Sequence, residues 1–442
     1  MKRILAVTLL ASGALAASAQ TRLTFDEALA RAVIVNNMIE RSRTDVDLAT
    51  AQRDQLLSAV MPRITLNGDL TRNSMEQRFG EGDQAIAILP RNDWAYRITL
   101  DQPIYAGRRE LRAYSQAKLN VENARVGVRG TEDAALLRVA SSYLAVVNAD
   151  RRVDVEKRNI ELAERRLTQA QAFFEAGEVT KVDVLRAETA MKAAQRLLAV
   201  AAQQREHAVA QLRTDLDLDG SIEVSAPARN LPTLPDEATL VASAEASRAE
   251  VDFAENNVRI AELEVAKQRG FWLPTVRFDG GFIQQRTPFP ANQYAYGALR
   301  FTVPIFQSGE VTARVAGAKS QEKRAGIALE EAKIGAREDV RRALADLRSA
   351  EIGLQLANEQ LQAAQAEYDQ AFELYRAQEA TSLDVASSET SLADARRAVA
   401  EETLNRDLAE LRVWFAAGQI KAALGAAAAL SAVEGPNGVM NE

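Results

Sequence analysis

The chain of 442 residues contains no cysteine and a single histidine, His207. The absence of cysteine excludes disulfide bonds, thiolate metal sites, cysteine nucleophiles and lipid attachment at an N-terminal cysteine. One histidine does not supply a histidine-built zinc site. The formal net charge of -7 argues against a nucleic-acid partner, which would require a basic surface. We therefore expect no metal, no cofactor and no nucleic acid.

Motifs that carry enzymatic chemistry are also lacking. No nucleophile and base arrangement, metal-ligand spacing or phosphate-binding loop stands out in the sequence. Carboxylates scattered along amphipathic helices are typical of a solvated surface. We expect that the chain is not an enzyme.

Residues that end helices are scarce, with 22 glycines and 11 prolines, and aromatic residues make up only 5% of the chain. No proline occurs from Arg108 to Phe174, which permits one helix of roughly 100 Å at about 1.5 Å per residue. The sequence predicts two long antiparallel helical hairpins, which turn at residues 176–182 and 377–383. Residues spaced by three and four predict a coiled-coil seam at Val153, Glu156, Ile160, Ala163, Leu167, Ala170 and Phe174, and at Leu354, Ala357, Leu361, Ala364, Tyr368, Ala371 and Tyr375.

The N-terminus has the pattern of an export signal. Lys2 and Arg3 supply a positive start, residues 4–16 an apolar stretch, and Ala17-Ser18-Ala19 a cleavage site. We expect residues 1–19 to be removed, so that the mature chain begins at Gln20. An uncleaved anchor is the alternative, but the apolar run is shorter than the roughly 20 residues that a spanning helix needs.

Several short patterns occur twice along the chain. Asp183-Val184 recurs as Asp384-Val385, 201 residues later, and the same spacing relates Pro103 to Pro304. This self-similarity predicts an internal duplication. The expected organisation is a signal peptide (1–19), a first repeat of helix, strand pair and long helical hairpin (20–219), a connector (220–235), a second repeat (236–418) and an Ala/Gly-rich tail (419–442).

Two stretches change their periodicity from that of helices to that of strands. Apolar and polar residues alternate between Pro62 and Pro103 and again between Pro274 and Pro304, in four runs of about ten residues, the length of a tilted membrane strand. Aromatic residues around these runs predict a membrane-interface girdle of Trp94, Tyr96, Phe278, Phe282, Tyr294 and Tyr296. A sheet packed on a soluble core is the alternative. Spanning barrels need about eight strands or more, so a membrane protein of this kind must oligomerise. Two chains would give a minimal barrel filled by side chains, whereas three would give twelve strands and room for a lumen.

Together these features resemble the TolC-like outer-membrane efflux protein family. The resemblance runs from Leu23-Thr-Phe-Asp-Glu-Ala-Leu29 to about Ala417, and includes two Pro-Ile-aromatic strand exits, each followed by a glycine, and the duplicated tip motif. It implies an α+β membrane protein, a homotrimer whose twelve-stranded outer-membrane β-barrel, with four strands per chain, continues into a long periplasmic helical coiled-coil barrel. Thr24 and Glu27 in the opening motif also predict a capping box.

The resemblance also implies a function. The protein would be a passive exit duct in the outer membrane of a Gram-negative bacterium, surrounded by outer-membrane lipid, with a large periplasmic part. It would serve a tripartite efflux or type I secretion system and dock a periplasmic adaptor protein and an inner-membrane pump at its helical tips. The alternative is a soluble periplasmic coiled-coil scaffold or an adaptor, although an adaptor would have one hairpin flanked by β-domains.

The candidate site residues lie at the two tips. By resemblance Asp384 matches the family's constricting aspartate, and Asp183 is its repeat equivalent; a ring of three such carboxylates in a trimer would attract cations as a periplasmic gate. Ser387 and Ala380 stand where the family has a second aspartate and an arginine, which departs from a gate with two rings and a salt-bridge latch. Helix capping is the alternative role, and for Asp183 we favour capping or a hydrogen bond between helices. The predicted adaptor-docking residues are Gly177, Glu178, Val179, Thr180, Gln378, Glu379, Ala380 and Thr381.

Overall fold

The computed structural model describes residues 21–80, 82, 86–220, 222–225, 231–287 and 291–425. The predicted signal peptide lies outside the described residues, as do parts of the predicted connector and tail. The chain divides into two compact units. The helical unit contains the residues up to Ile39, Glu132–Ser243 and the residues from Glu338 onward, and the sheet unit contains Glu40–Thr131 and Ala244–Arg337.

Long helices dominate the described chain. The helices are α1 (Phe25–Val35), α2 (Asn37–Ser58), α3 (Arg109–Glu175), α4 (Lys181–Leu216), α5 (Glu237–Ser247), α6 (Ala249–Arg269), α7 (Glu310–Arg376), α8 (Ser382–Ala416) and α9 (Ile420–Ala423). Both α3 and α7 contain 67 residues, which confirms the predicted long helices. None of the described helices is both long and apolar enough to cross a membrane.

The return helices α4 and α8 run back along their partners, as predicted. In the first hairpin Ser142 on α3 bonds to Asp215 on α4, and Asp150 bonds to Arg205, which lies earlier on α4. In the second hairpin Gln365 on α7 accepts a hydrogen bond from Arg396 on α8. Seam positions predicted from the sequence are buried at Glu156, Ala163, Ala170, Ala357, Ala364, Tyr368 and Tyr375.

The core of the helical unit surrounds Tyr143 on α3, whose side chain is fully buried. Its hydroxyl oxygen lies 3.0 Å from the carbonyl oxygen of Leu23 and 2.6 Å from that of Ser225, and its single proton is donated to the nearer acceptor, Ser225. Leu23 is the last residue of β1 (Thr21–Leu23), and Ser225 directly follows β6 (Ile222–Val224). The two strands form a short parallel pair that was not predicted from the sequence. Burial raises the pKa of Tyr143 to about 12, so the hydroxyl remains a donor at any ordinary pH.

The first helix begins at the predicted capping box. The Thr24 backbone N–H donates to Glu27 Oε2 at 2.9 Å, and the Glu27 N–H donates to Thr24 Oγ1 at 3.3 Å. Both bonds satisfy backbone groups that a helix start would otherwise leave unpaired. The capping role of this motif is therefore confirmed.

The sheet unit contains a four-stranded antiparallel sheet. Its strands are β2 (Arg63–Arg72), β5 (Asn92–Ala106), β7 (Thr275–Gln285) and β8 (Gln293–Thr302), paired in the order β2-β5-β7-β8. The four predicted strands are confirmed, but β5 continues through Pro103 with a bulge before Tyr105. A separate short hairpin, β3 (Gln77–Phe79) with β4 (Ile86–Leu89), lies between β2 and β5 in sequence and was not predicted.

The two faces of this sheet differ in polarity. Side chains of directly paired residues point to the same face, and the apolar face exposes Ile64, Leu66, Leu70, Ile98, Phe282, Leu299 and Phe301. Leu70 is 82% exposed and Phe301 is 76% exposed. The opposite face holds the ion pairs Asp69–Arg97 (3.2 Å), Asp101–Arg277 (3.0 Å) and Asp279–Arg300 (2.6 Å). An exposed apolar surface of this kind marks a site of contact with a membrane or with another protein.

We predict that Tyr143→Phe destabilises the helical unit by about 1–2 kcal/mol, because the carbonyl of Ser225 loses its buried donor. The midpoint of thermal unfolding of the purified protein, followed by circular dichroism at 222 nm, should fall. Tyr114→Phe is the matched control, since the Tyr114 hydroxyl has no hydrogen-bond partner among the described residues. Equal effects of the two substitutions would contradict the role given to the Tyr143 hydroxyl.

Candidate functional site

Two turns at the ends of the helical hairpins form the candidate site: tip 1 (residues 176–183) and tip 2 (residues 377–384). In tip 1, Gly177 has φ 77°, a left-handed conformation that reverses the chain after α3. The Gly177 and Glu178 N–H groups donate to the carbonyls of Phe174 (3.0 Å) and Phe173 (2.8 Å). These bonds satisfy the last carbonyls of the helix.

Tip 2 has the same backbone built from a different residue. Gln378 has φ 63°, and the N–H groups of Gln378 and Glu379 donate to the carbonyls of Tyr375 (3.0 Å) and Leu374 (2.8 Å). A side chain with a Cβ in this conformation costs about 1 kcal/mol. Tip 2 is therefore strained at a position where tip 1 is relaxed.

Each return helix begins with a threonine and an aspartate. The backbone N–H and hydroxyl of Thr180 donate to Asp183 Oδ2 (3.2 and 2.8 Å), and those of Thr381 donate to Asp384 Oδ2 (2.8 and 2.6 Å). In tip 2 the Asp384 N–H also donates to Thr381 Oγ1, at 3.3 Å. The aspartates thus take part in capping, but as the third helical residue, while the threonines hold the N-cap position.

Asp183 also joins the two tips. The Ser382 hydroxyl, at the start of α8, donates to Asp183 Oδ1 at 2.5 Å, and Arg186 lies 3.5 Å from the same oxygen. The hydrogen bonds from Ser382 and Thr180 hold the pKa of Asp183 below its ordinary value of 3.8. The carboxylate is therefore ionised and committed to contacts within the chain. A hydrogen bond between helices was one of the two roles expected for Asp183.

Asp384 has a different environment. Its side chain is exposed, and its hydrogen-bond partners among the described residues all belong to Thr381. The hydroxyl and backbone N–H of Thr381 lower the pKa of Asp384 from 3.8, so the group carries its charge near neutral pH. An exposed ionised carboxylate without a cationic partner is able to attract a passing cation.

The remaining tip residues form an accessible surface. Gly177, Glu178 and Thr180 in tip 1 are exposed, as are Gln378, Glu379 and Thr381 in tip 2. Val179 and Ala380 occupy equivalent positions and are half-buried. Each tip therefore presents a polar loop around one small or apolar side chain.

The strand register shows on which face of the sheet each residue of the predicted aromatic girdle lies. Trp94 and Tyr96, with ring centroids 5.5 Å apart, lie on the apolar face, and the strand register places Phe278 and Phe282 there too. Tyr294 and Tyr296 pair with Ile283 and Gly281 and lie on the opposite, polar face. The six residues therefore do not share one face, because Leu299 and Phe301 fix the phase of β8 and the tyrosines are an odd number of residues away. Their place at a membrane interface stays a prediction.

Polar residues buried behind the tips were missed by the sequence analysis. Arg166 on α3 pairs with Glu389 on α8 at 3.2 Å, and both side chains are at least 86% buried. Arg397 on α8 donates to both oxygens of Glu156 on α3, at 2.7 and 3.1 Å. The glutamate in the predicted seam was the one signal of this network, since a charge among apolar seam positions demands a partner.

Comparison with known proteins decides the family. Residues 28–216 and 240–419 match the sequence model of a family described as outer membrane efflux protein. This chain belongs to the outer membrane efflux protein family. The outer membrane efflux protein BepC of Brucella suis is 23% identical over 397 residues, which cover 88% of this chain and 84% of that protein. Nodulation protein T of Rhizobium leguminosarum is 29% identical over 166 residues, 38% of this chain and 33% of its own.

Solved structures of outer-membrane channels share the fold. The channel protein CusC superposes with a TM-score of 0.78 at 16% identity over 89% of this chain and 92% of its own. The outer membrane channel MtrE of Neisseria gonorrhoeae gives a TM-score of 0.74 at 18% identity over 90% of this chain and 89% of its own. The family member described here therefore shares the fold of these outer-membrane channels. It resides in the outer membrane of a Gram-negative bacterium, and a large part of the protein lies in the periplasm. This location excludes the alternatives of a soluble scaffold and an adaptor protein.

We predict that Gln378→Gly stabilises tip 2 by about 1 kcal/mol, because glycine adopts the left-handed conformation without strain. Hydrogen exchange of a tip 2 peptide, measured by mass spectrometry, should slow about fivefold where local opening limits it. Gly177→Ala is the reciprocal control and should speed exchange in tip 1. Unchanged exchange in both variants would show that neither turn conformation limits local opening.

A second prediction concerns acid. Because the pKa of Asp183 is lowered in the folded protein, its contribution to stability is full above about pH 3.8 and is lost as the pH falls through the lowered value. The difference in melting temperature between the wild type and Asp183→Asn should stay constant from about pH 7 to pH 5 and shrink below about pH 3.8. Glu178→Gln, which neutralises an exposed carboxylate in the same turn, should show no such dependence. A difference that grows in acid would contradict the assignment.

Proposed function

We propose that this family member is the protomer of a trimeric duct through the outer membrane. The observation that carries the proposal is the four-stranded sheet, whose outer strands β2 and β8 each have one edge unpaired by the strands of their own sheet. Four strands are too few to close a barrel, and unpaired edges favour pairing with another chain. Three copies joined edge to edge would give twelve strands with an apolar outer face and a charged lumen.

We also infer that the two halves of the chain arose by duplication. Both long helices contain 67 residues, and the capping threonines Thr180 and Thr381 are 201 residues apart, like the aspartates that follow them. Each half therefore contributes one strand pair and one helical hairpin. The proposed trimer would then present six hairpins with six tips.

The two tip aspartates would have different roles in a periplasmic gate. Asp384 is exposed and has no ion-pair partner among the described residues, so three copies would form an acidic ring that prefers cations. Asp183 is held by Ser382 from the neighbouring hairpin and would keep the starts of α4 and α8 together.

The exposed tip loops support docking of a periplasmic adaptor. Glu178 and Glu379 are exposed acidic residues at equivalent positions, next to the half-buried Val179 and Ala380. A partner with small apolar and basic side chains at its own tip would complement both. No energy source is expected within the duct, so transport would depend on an inner-membrane pump, in a tripartite efflux or type I secretion system.

Conductance in planar bilayers tests the duct and its gate. The purified mature protein should form discrete, cation-preferring channels of small conductance. Asp384→Ala should enlarge the current and reduce the cation preference, measured by reversal potential in a salt gradient, by up to about tenfold because the acidic ring is removed. Asp183→Ala is the matched variant: it should raise the frequency of opening while leaving more of the cation preference.

The outcomes separate the duct from its gate. Channels that are unchanged by Asp384→Ala would retain the duct and remove the gate from tip 2. A folded protein that reconstitutes in bilayers without forming channels would overturn the duct itself. Cross-linking of the reconstituted protein would report the number of chains independently of the current.

A further inference from the structure

A groove lies between the return helices α4 and α8 in the helical unit, just behind the tips. Its volume is about 660 Å³, within the range of sites that hold small organic ligands. Its walls are predominantly apolar, with Leu185, Ala190 and Leu197 on α4 facing Leu383, Ala386 and Ala393 on α8. The alanines leave the space open because no larger side chain fills it.

Polar residues of α3, α4 and α8 also line this groove. Glu389 lines it with only 14% of its side chain exposed, beside Arg166 with 6% exposed. Arg166 Nη1 lies 3.2 Å from Glu389 Oε2, and it is the single hydrogen-bond partner of this carboxylate among the described residues. A buried carboxylate has about four acceptor sites, so most of the acceptor capacity of Glu389 is unused.

Glu156 on α3 is a carboxylate in the same region that has several hydrogen-bond donors. It receives two hydrogen bonds from Arg397 and one from Asn159 at 3.2 Å. Burial raises its pKa, but these donors outweigh burial and the pKa of Glu156 is lowered overall. At Glu389 burial prevails over the single arginine, and the pKa is raised. In its ionised form Glu389 therefore lacks donors that Glu156 has.

The arginines that line the groove are already paired with carboxylates. Three guanidinium groups line it, those of Arg166, Arg186 and Arg397. They are in contact with four carboxylates, those of Glu389, Asp183, Glu156 and Asp394. Each guanidinium is thus already paired with a carboxylate, and Glu389 is the one carboxylate of the four that lines the groove. An anionic ligand would find no unpaired arginine among these three.

We propose that this groove is a binding site for small organic cations, in which a protonated amine donates to Glu389 and an apolar body packs between α4 and α8. The amine supplies donors that Glu389 lacks, and the alanine-lined walls accept a flat hydrocarbon. A ligand in this position touches three helices of one hairpin pair and holds α4 and α8 in the arrangement described here. The site is separate from Asp384, which lies outside the groove lining.

Three probes of one shape test the proposal: 1-naphthylmethylammonium, the uncharged 1-naphthylmethanol and the anionic 1-naphthoate. Their binding to the full protein in uncharged detergent is measured by naphthyl fluorescence anisotropy, with protein-free micelles as the blank. The ammonium should bind at least about tenfold more tightly than the alcohol, since a hydrogen bond to a charged group contributes that much. The naphthoate should bind most weakly.

Variants locate the site. Glu389→Gln should weaken ammonium binding about tenfold and leave alcohol binding unchanged, because only the charge is removed. Glu188→Gln is the matched control: Glu188 stands 201 residues earlier, is also followed by threonine and is exposed. Ala386→Leu should weaken both the ammonium and the alcohol by filling the groove, and this variant keeps every charge.

The proposal is overturned by any of three results. These are equal affinities of the ammonium and the alcohol for the wild type, full ammonium affinity in Glu389→Gln, or loss of binding in Asp384→Asn with retention in Glu389→Gln. If Glu389→Gln fails to fold, Ala386→Leu and the probe series still decide the outcome. Binding is measured without any current, so the result is independent of whether the protein forms a duct.

Discussion

A helix of 67 residues is stable in water only if a face of it is covered by other elements along its length. Many of the residues on the covered faces of α3 and α7 are alanines. Ala163, Ala170, Ala357 and Ala364 are all buried. Small residues let helices approach closely, but each one buries little apolar area. Larger side chains are needed to fix the helices at particular points. Tyr143 does this beside β1 and β6, while Tyr368 and Tyr375 do it near the tips.

The tips show how similar turns acquire different properties. The backbone geometry of tip 1 and tip 2 is shared, with a left-handed residue followed by a threonine cap. One sequence difference between the halves accounts for the main contrast: α8 begins with Ser382, whereas α4 begins with Lys181. A serine hydroxyl reaches Asp183 across the helices, and Asp384 has no such donor among the described residues. The first aspartate is therefore structural, and the second keeps its charge available to solvent.

Much of this architecture could be predicted from periodicity. The strands, the long helices and the capping box at Thr24 follow from local patterns, because the physical signals for them lie within a few residues. The pairing of β1 with β6 was missed since three-residue strands have no detectable period. The face on which Tyr294 and Tyr296 lie could have been predicted. Side chains alternate between the two faces along a strand, so both tyrosines share the face of Arg300 and not that of Leu299.

Burial of Glu389 could not be predicted from local sequence. Glu188 and Glu389 are each followed by threonine and occupy equivalent places on α4 and α8, yet Glu188 is exposed and only 14% of the Glu389 side chain is exposed. The difference arises from Arg166 on α3, 223 residues away in sequence, which packs against α8. Such contacts depend on which helix lies beside which, and helix periodicity does not report that choice.

The buried ion pairs between α3 and α8 are best understood as determinants of register. Buried pairs add little net stability, because desolvation offsets most of the attraction, and apolar residues would also pack these helices together. Alanine seams alone, however, change little when one helix slides by a turn of about 5.4 Å. The same slide would separate Arg166 from Glu389 and Arg397 from Glu156. Arg166, Glu389 and Glu156, whose side chains are at least 86% buried, would then lose these ion pairs. The pairs therefore fix the axial position of α8, and with it the first turn of α8, where Ser382 must lie within 2.5 Å of Asp183. Since Glu389 is at once a member of this register contact and part of the groove lining, a cation bound there would act on the same element that positions the tip.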